Sequence, residues 1–345
     1  MGSSFACATG DEAQVTEEDD VIRVGLIGAG GISAEHVNGI KKSGLAEIKM
    51  VYAPDETAKK LAEKCGATTV ASAEALIQSP DIDAVFILSP TNSHADYLRQ
   101  VHAAGKHVLC EKPLVRTAAE ADEIEKLFEG YAPVAMAGMV MHFWPEYLQV
   151  RDMIKKGDIG RLGTVRMYRG AGCPTENDKW RGDFKASGGV ILDMGIHDID
   201  FVDWALGPLT RIFTMRSKPN EKGQHDYALM VARTADGAIV HFEESWNEAP
   251  HAFYYGFEIT GSGGLLELDS RIEAQLTVRP VENAGTGMKT TNPAAVSPHD
   301  AMISAFLGAV AEGKKSPVTI AEGLRAVRLA LAAIESAEKN APIEL

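Results

Sequence analysis

The 345-residue chain contains little cysteine, and its four thiols are scattered. Cys7, Cys65, Cys110 and Cys173 form no Cys-x-x-Cys pair, so neither a disulfide framework nor a structural zinc site is expected. The ten histidines include no His-Glu-x-x-His sequence and no 2-His-1-carboxylate spacing, and we predict no catalytic metal. A reducing, cytoplasmic location is the expectation.

Basic residues and long apolar runs are also scarce. Lys and Arg number 34 against 48 Asp and Glu, a formal charge of −14, so we expect no nucleic-acid partner and repulsion from anionic lipid surfaces. No apolar run reaches the roughly 18 residues needed to span a membrane. Residues 1–20 end in an acidic run without a signal-peptide core, and we predict a flexible arm. The alternative is a secreted form whose leader has been removed.

The remaining chain has the length and rhythm of two domains, predicted at 21–140 and 141–345. In the first, short β-branched runs alternate with amphipathic helical patterns, which predicts a doubly wound parallel sheet of α/β type. The predicted strands are Ile22–Ile27, Ile48–Tyr52, Ala84–Leu88, His107–Cys110 and Val134–Ala137, and the predicted helices are Ser33–Ser43, Thr57–Cys65, Ala73–Gln78, Ser93–Ala104 and Thr117–Glu129.

After about Met139 the rhythm changes to consecutive strands, which predicts an antiparallel sheet in an α+β domain. Residues 281–300 are expected to form a functional loop or an oligomer contact. The predicted helices are Pro145–Lys156, Gly189–Leu206, Asp300–Glu312 and Ala321–Lys339, and the predicted strands are Leu162–Arg169, Thr210–Ser217, Tyr227–Thr234, Ala238–Glu244, Phe253–Thr260, Leu265–Leu268 and Glu273–Arg279.

A glycine-rich turn follows the first strand and opens the first helix. It includes Gly28, Gly30, Gly31 and Ile32, and Ser33 takes the place of the third glycine of the dinucleotide-binding fingerprint. Such a turn lets the backbone approach a pyrophosphate at the helix N-terminus, although a plain structural turn is the alternative. The turn predicts a nicotinamide cofactor. Tyr52 ends the second strand where NAD-binding proteins carry an acidic residue, and no arginine lies beside it for the 2′-phosphate of NADP, so NAD has only a modest preference over NADP.

Two further motifs carry chemistry. Glu111 and Lys112 follow the predicted strand His107–Cys110, at the sheet edge where ligands of open α/β sheets bind, and a lysine there suits a developing alkoxide. Asp193 and His197 are spaced i, i+4 on a predicted helix, so the carboxylate is expected to orient the imidazole and raise its pKa. A histidine in this setting suits a general base for an alcohol proton. A surface lysine and a core histidine are the structural alternatives.

Weaker candidates surround these motifs. Some come from the loop after the predicted strand Ala84–Leu88 and are assigned to the cofactor; others are polar or aromatic residues of a sugar-type pocket. The cofactor candidates are Ser89, Thr91, Asn92, His94, Trp180 and Arg181, and the substrate candidates are His142, Trp144 and Tyr168 together with Asp193 and His197.

Together these motifs resemble the Gfo/Idh/MocA family (glucose–fructose oxidoreductase, inositol dehydrogenase, rhizopine catabolism) from Val21 to the C-terminus. The resemblance implies an N-terminal Rossmann domain, a C-terminal domain with a large open, mostly antiparallel sheet, and a homo-oligomer, either dimer or tetramer. It also implies a catalytic set of Lys112, Asp193 and His197 and a cis peptide bond before Pro113. The chain departs from the family pattern at Tyr52 and at His142 to Trp144, which are positions that bear on cofactor and substrate.

The leading hypothesis is an NAD(P)-dependent dehydrogenase for a secondary alcohol of a sugar, sugar derivative or cyclitol. The first alternative is a glycosidase-type enzyme that oxidises a sugar carbon transiently, eliminates a substituent and returns the hydride. The second is a dinucleotide-binding sensor without catalysis, which disagrees with the presence of Lys112, Asp193 and His197.

Overall fold

A computed structural model of the chain describes residues 21–172, 179–217, 225–249, 252–272, 276–280, 289–291 and 296–345. The predicted arm at 1–20 lies outside the described residues, as do Cys7, Cys173 and most of the predicted loop at 281–300. Among the described residues, no helix is both long and apolar enough to cross a membrane.

The first sheet has six parallel strands in the order β3-β2-β1-β4-β5-β6, which confirms the predicted doubly wound sheet. Its central strands are apolar throughout because helices cover both faces; Val24, Leu26 and Phe86 are fully buried. The strands are β1 Ile22–Ile27, β2 Ala46–Tyr52, β3 Thr68–Thr69, β4 Ala84–Ile87, β5 His107–Glu111 and β6 Ala135–Gly138, and the helices are α1 Ser33–Ser43, α2 Thr57–Cys65, α3 Ala73–Gln78, α4 His94–Ala104 and α5 Ala118–Phe128.

Local sequence signals account for most of these boundaries. Helices α1, α2 and α4 each end at a glycine with positive φ, and α5 begins with a capping box of Thr117 and Glu120. Strand β3 was not predicted, because two exposed threonines give no apolar signal.

The second sheet has nine strands in the order β14-β13-β12-β11-β7-β10-β9-β8-β15. All pairs are antiparallel except β7 with β10, so the sheet is mostly antiparallel, as predicted. The parallel pair joins strands far apart in the chain, which a local pattern does not reveal. The strands are β7 Leu162–Gly172, β8 Leu209–Arg216, β9 Tyr227–Thr234, β10 Ile239–Glu248, β11 Phe253–Gly261, β12 Gly264–Asp269, β13 Leu276–Pro280, β14 Lys289–Thr291 and β15 Ile343–Glu344.

The helical segment predicted at Gly189–Leu206 is helical but not uniform. A short helix, α9, lies between two π-helical turns, Ile191–Gly195 and Val202–Leu206. Single π turns of this kind are frequent at functional sites. The remaining helices are α6 Pro145–Lys156, α7 Lys179–Gly182, α8 Phe184–Ser187, α9 Ile196–Phe201, α10 Pro298–Ala311 and α11 Ile320–Lys339.

The two C-terminal helices connect the two sheets. Helix α10 packs on α1, and α11 packs on α5 and β6 of the first sheet and on β8 of the second. Gly39 of α1 is part of this contact, since a Cβ there would lie 2.5 Å from Ile303. The carboxyl ends of the parallel strands therefore face the region that carries the π-helical turns.

Candidate active site

A cleft of about 530 Å³ lies where the two regions meet, and most of the predicted site residues line it. On the side of the first sheet, the cleft is lined by the glycine turn and the loops after β4 and β5. On the side of the second sheet, it is lined by the end of β7, by α7 and by the π-helical turn Ile191–Gly195. A second groove, about 850 Å³ in volume, runs between α5 and the start of α11 and contains none of the predicted site residues.

The glycine turn has the form that a dinucleotide requires. Gly28 has a φ of +111°, and a Cβ there would lie 2.6 Å from the main chain of Leu88. Gly30 and Gly31 have nothing within 4 Å of a Cβ position, so their backbone is open to close approach. Helix α1 follows without a side-chain cap at Ile32, which leaves its N-terminus free for an anion. These residues therefore fit a bound pyrophosphate.

The end of β2 offers little to the ribose of a dinucleotide. The carbonyl of Tyr52 accepts a hydrogen bond from Gly28 N at 2.8 Å, which ties the two loops together. The carboxylate of Asp55 accepts from the amide of Thr57 at 2.9 Å and from its hydroxyl. These hydrogen bonds lower the pKa of Asp55 and direct its carboxylate to the start of α2. Neither Tyr52 nor Asp55 lines the cleft.

The loop after β4 is only partly open to the cleft. Ser89 and Thr91 line it, whereas Asn92 is exposed elsewhere and His94 is buried. His94 Nδ1 lies 2.8 Å from the carbonyl of Pro113 and Nε2 lies 2.7 Å from the carbonyl of Ser89. Burial lowers the pKa of this imidazole. His94 thus joins the loops after β4 and β5, and its side chain is not among those that line the cleft.

Lys112 reaches across the cleft to the second region. The Lys112–Pro113 peptide bond is cis, which confirms the expectation. The Lys112 ammonium Nζ donates a hydrogen bond to the main-chain carbonyl of Asp193 at 2.6 Å and lies 3.6 Å from Asp193 Oδ1. The lysine side chain is 16% exposed, so the cation remains accessible from the cleft while it is held in place.

Asp193 and His197 line the same cleft as Lys112, but their arrangement differs from the prediction. The Asp193 carboxylate lies between two cations, with Lys112 on one oxygen and Arg181 Nε 3.6 Å from the other. His197 is half-buried, and its Nδ1 is buried without a hydrogen-bond partner. Burial, and then the charges of Lys112 and Arg169, lower the pKa of His197 well below its usual value. The expectation that Asp193 raises this pKa is therefore wrong, because the Asp193 carboxylate is paired with Lys112 and Arg181.

Aromatic rings form part of the wall of the cleft. Trp144, Trp180, Trp246 and Phe253 line it, so three of the four tryptophans of the chain are at this site. The Arg181 guanidinium lies 5.5 Å from the centre of the Trp180 ring. This wall can stack against the C–H face of a sugar ring while the polar groups bind its hydroxyls.

Two of the predicted substrate residues are elsewhere. Tyr168 points to the opposite face of the second sheet, where its hydroxyl donates to the carbonyl of Leu268 at 3.1 Å; the prediction overlooked the two-residue alternation of β7. His142 is buried, with Nε2 2.9 Å from Asp200 Oδ2 and its ring stacked 3.9 Å from Trp204. Both assignments to the substrate are therefore corrected, since neither side chain lines the cleft.

Sequence reasoning missed several residues that line the cleft. Arg169, one residue after Tyr168, is buried and pairs with Asp198 at 2.6 Å. The available signal was the alternation of β7, which places Arg169 on the face opposite Tyr168. Trp246 and His299 were not singled out. His299 has no local signal, because it reaches the cleft only through the packing of α10 on α1.

Among the described residues, no group of three or more His, Cys, Asp or Glu side chains is arranged to hold a metal ion.

Comparisons with known proteins agree with this architecture. A family model described as "Oxidoreductase family, NAD-binding Rossmann fold" matches residues 22–139, and the "GFO/IDH/MocA C-terminal domain" matches residues 147–267. The "Rhizopine catabolism protein MocA" of Rhizobium meliloti is 31% identical over 63% of this chain and 68% of its own length. "Inositol 2-dehydrogenase" of Rhizobium meliloti (strain 1021) is 28% identical over 94% and 99%. Among solved structures, levoglucosan dehydrogenase in complex with NADH and levoglucosan has the same fold, with a TM-score of 0.85, 24% identity, and coverage of 94% and 99%.

Proposed function

The chain belongs to the Gfo/Idh/MocA oxidoreductase family, and on that premise we propose that it is an NAD(P)-dependent dehydrogenase for a secondary alcohol of a neutral sugar, sugar derivative or cyclitol. The observation that carries the proposal is the meeting of Lys112, Asp193 and His197 in the cleft lined by the glycine turn. Relatives named inositol 2-dehydrogenase, 1,5-anhydro-D-fructose reductase and D-xylose 1-dehydrogenase support this substrate class.

In this proposal each of the three residues has a separate task. His197 is held neutral by burial and by the cations beside it, so it takes the hydroxyl proton at Nε2. Lys112 stabilises the alkoxide that develops on the same oxygen. Asp193 is a positioning residue for the Lys112 ammonium and for Arg181. A nicotinamide cofactor held at the glycine turn would supply the hydride acceptor, so the products would be a ketone, the reduced cofactor and a proton on His197.

The charges of the cleft favour a neutral substrate over an acidic one. Lys112 and Arg181 each lie 3.6 Å from a carboxylate oxygen of Asp193, and Arg169 lies 2.6 Å from Asp198. Lys112 and Arg181 share Asp193, but Glu111 also lines the cleft and interacts electrostatically with Lys112, so the three cations face three carboxylates. An anionic substrate would displace one of these pairs and meet the remaining carboxylate. Hydroxyl groups, by contrast, both donate and accept hydrogen bonds in such a setting.

We propose NAD rather than NADP as the preferred cofactor. The loop between β2 and α2 carries two exposed carboxylates, Asp55 and Glu56, and a 2′-phosphate bound beside them would be repelled. The expected result is a higher kcat/KM for NAD than for NADP with the same substrate. A higher kcat/KM for NADP would overturn this part of the proposal.

We also propose that the chain forms a homo-oligomer through the outer face of the second sheet. Met215, Val231 and Ile239 are exposed on β8, β9 and β10, and Phe213 pairs with Val231 in register. Light scattering with size-exclusion chromatography tests this proposal: Val231→Glu is expected to lower the molar mass, and a monomeric wild type would refute it.

The dehydrogenase itself is tested with a panel of neutral sugars, inositols and the corresponding uronates, with the absorbance of the reduced nicotinamide as the signal. We expect accumulation of reduced cofactor with at least one neutral polyol and weaker turnover of its uronate. Consumption of a glycoside without net reduced cofactor would replace the dehydrogenase with the glycosidase-type reaction. Saturable NADH binding without turnover of any compound would favour the sensor.

A further inference from the structure

A buried histidine and a carboxylate connect the cofactor helix to the strand that carries Lys112. His36 lies one turn into α1 and is fully buried, and its Nε2 is 2.7 Å from Oε1 of Glu111, the last residue of β5. The two residues are 75 positions apart in the chain, so only the tertiary fold brings them together. This hydrogen bond connects helix α1, which begins at the glycine turn, to the carboxyl end of β5, where the candidate site lies.

The second oxygen of Glu111 holds the main chain of the next residue. The amide of Lys112 donates to Glu111 Oε2 at 3.1 Å, and the Lys112 ammonium in turn donates to the carbonyl of Asp193 at 2.6 Å. A continuous series of hydrogen bonds therefore runs from α1 through Glu111 and Lys112 to the π-helical turn. Both oxygens of Glu111 are engaged and the residue is 7% exposed, so its carboxylate is held in place where it lines the cleft.

Packing holds the His36 ring from two sides. The ring of Phe86 lies 5.7 Å away at 82°, and the ring of His299 lies 6.4 Å away at 68°. His299 belongs to α10 and lines the cleft, and the neighbouring Asp300 pairs with Lys42 of α1 at 2.6 Å. The second region thus supports the orientation of His36.

We propose that His36 is a positioning residue for Lys112 and acts through Glu111. Helix α1, whose N-terminus would bind the cofactor's pyrophosphate, would then also position the Lys112 ammonium next to the reacting alcohol. The inference rests on the proposed dehydrogenase function. It assigns Glu111 to the support of Lys112, a role in addition to the cofactor contact expected from the sequence.

Electrostatics give the proposal a measurable signature. Burial acts to raise the pKa of Glu111, but the hydrogen bond and the charge of His36, followed by the charges of Lys112 and His299, keep it below its ordinary value. His94 of α4 also interacts electrostatically with the Glu111 carboxylate. Without His36, only the charges of Lys112 and His299 oppose the effect of burial, so we expect the pKa of Glu111 to rise and its carboxyl to become protonated as the pH is lowered. Lys112 then loses the charged acceptor of its amide.

The test compares His36→Leu with His36→Gln, whose amide nitrogen can occupy the position of Nε2 and keep the hydrogen bond. His102→Gln is the matched control, since His102 packs on Phe128 and Tyr131 away from the cleft. We expect His36→Leu to lower kcat/KM about 10- to 100-fold at neutral pH, the usual effect of losing a hydrogen bond to a charged group. The loss should shrink as the pH rises and Glu111 ionises. His36→Gln and the control should retain the wild-type pH profile.

A second measurement needs no substrate and separates this inference from the proposed function. Acetic anhydride labels accessible lysines, and peptide mass spectrometry gives the labelling of Lys112 relative to Lys106. We expect His36→Leu to increase this ratio severalfold and His36→Gln to leave it unchanged. Should His36→Leu not fold, Glu111→Gln removes the charge at constant volume and is expected to raise the same ratio. An unchanged ratio in the folded variants, or an activity loss in His36→Leu that is equal at all pH values, would overturn the inference.

Discussion

Replacement of Lys112 by methionine removes the ammonium and keeps most of the apolar stem. In the wild type, Nζ lies 2.6 Å from the carbonyl of Asp193 and 3.6 Å from Oδ1. If this ammonium stabilises the alkoxide, its loss is comparable to the loss of one oxyanion donor. We therefore expect kcat/KM to fall about 10²- to 10³-fold, or ~2.7–4 kcal/mol of transition-state stabilisation.

The same variant has an expected effect on pH dependence. Burial is the largest cause of the lowered pKa of His197, and the charge of Lys112 is the next. Removing that charge raises the pKa toward the ordinary value of a histidine. Since the base must be neutral to take a proton, the acid limb of kcat/KM for alcohol oxidation should move to higher pH.

The assay follows initial rates of cofactor reduction across the pH range, with thermal unfolding as a check on folding. Lys106→Met is the matched control, because Lys106 Nζ also donates to main-chain carbonyls, at 3.1 Å to Ser79 and 2.6 Å to Ile82, and does not line the cleft. We expect the control to leave kcat/KM and the pH profile unchanged. Undiminished turnover in a folded Lys112→Met variant, or an acid limb that does not move, would refute the reasoning.

Three further predictions concern the base, the glycine turn and a helix cap. His197→Gln should lower kcat/KM about 10²- to 10⁴-fold and abolish the acid limb in a pH–rate series, and an acid limb that persists would assign the base to another group. Gly28→Ala should destabilise the fold by ~1–3 kcal/mol in urea unfolding and weaken NADH binding measured by fluorescence, because its φ is +111° and the new Cβ meets the Leu88 main chain at 2.6 Å; unchanged binding would contradict the assignment of this turn. Thr319→Ala should cost about 1 kcal/mol in the same urea experiment, since it removes the capping box that begins α11, and no change in the midpoint would show that the cap contributes nothing.

The corrections to the candidate site come from side chains whose direction depends on neighbours distant in the chain. Tyr168 was assigned to the substrate and Arg169 was overlooked, although alternation along β7 places the arginine in the cleft and the tyrosine on the opposite face. Which face of a strand is inside depends on the elements that pack on it. The pKa of His197 was expected to rise because Asp193 is near in sequence; it is lowered because burial and the cations from β5 and β7 act on it.

The sequence alone was sufficient for the features that local chemistry decides. Apolar runs, glycine stops and helix caps predicted the parallel sheet except for its edge strand β3, and short motifs located the glycine turn, Lys112, Asp193 and His197. Each of these depends on residues within a few positions of one another, where steric and hydrogen-bonding preferences act directly. The parallel pairing of β7 with β10, the bond between His36 and Glu111 and the arrival of His299 at the cleft depend on contacts between residues far apart. The first two contacts form within one sheet and its covering helices, and the third depends on the packing of α10 on α1, so tertiary structure alone decided all three.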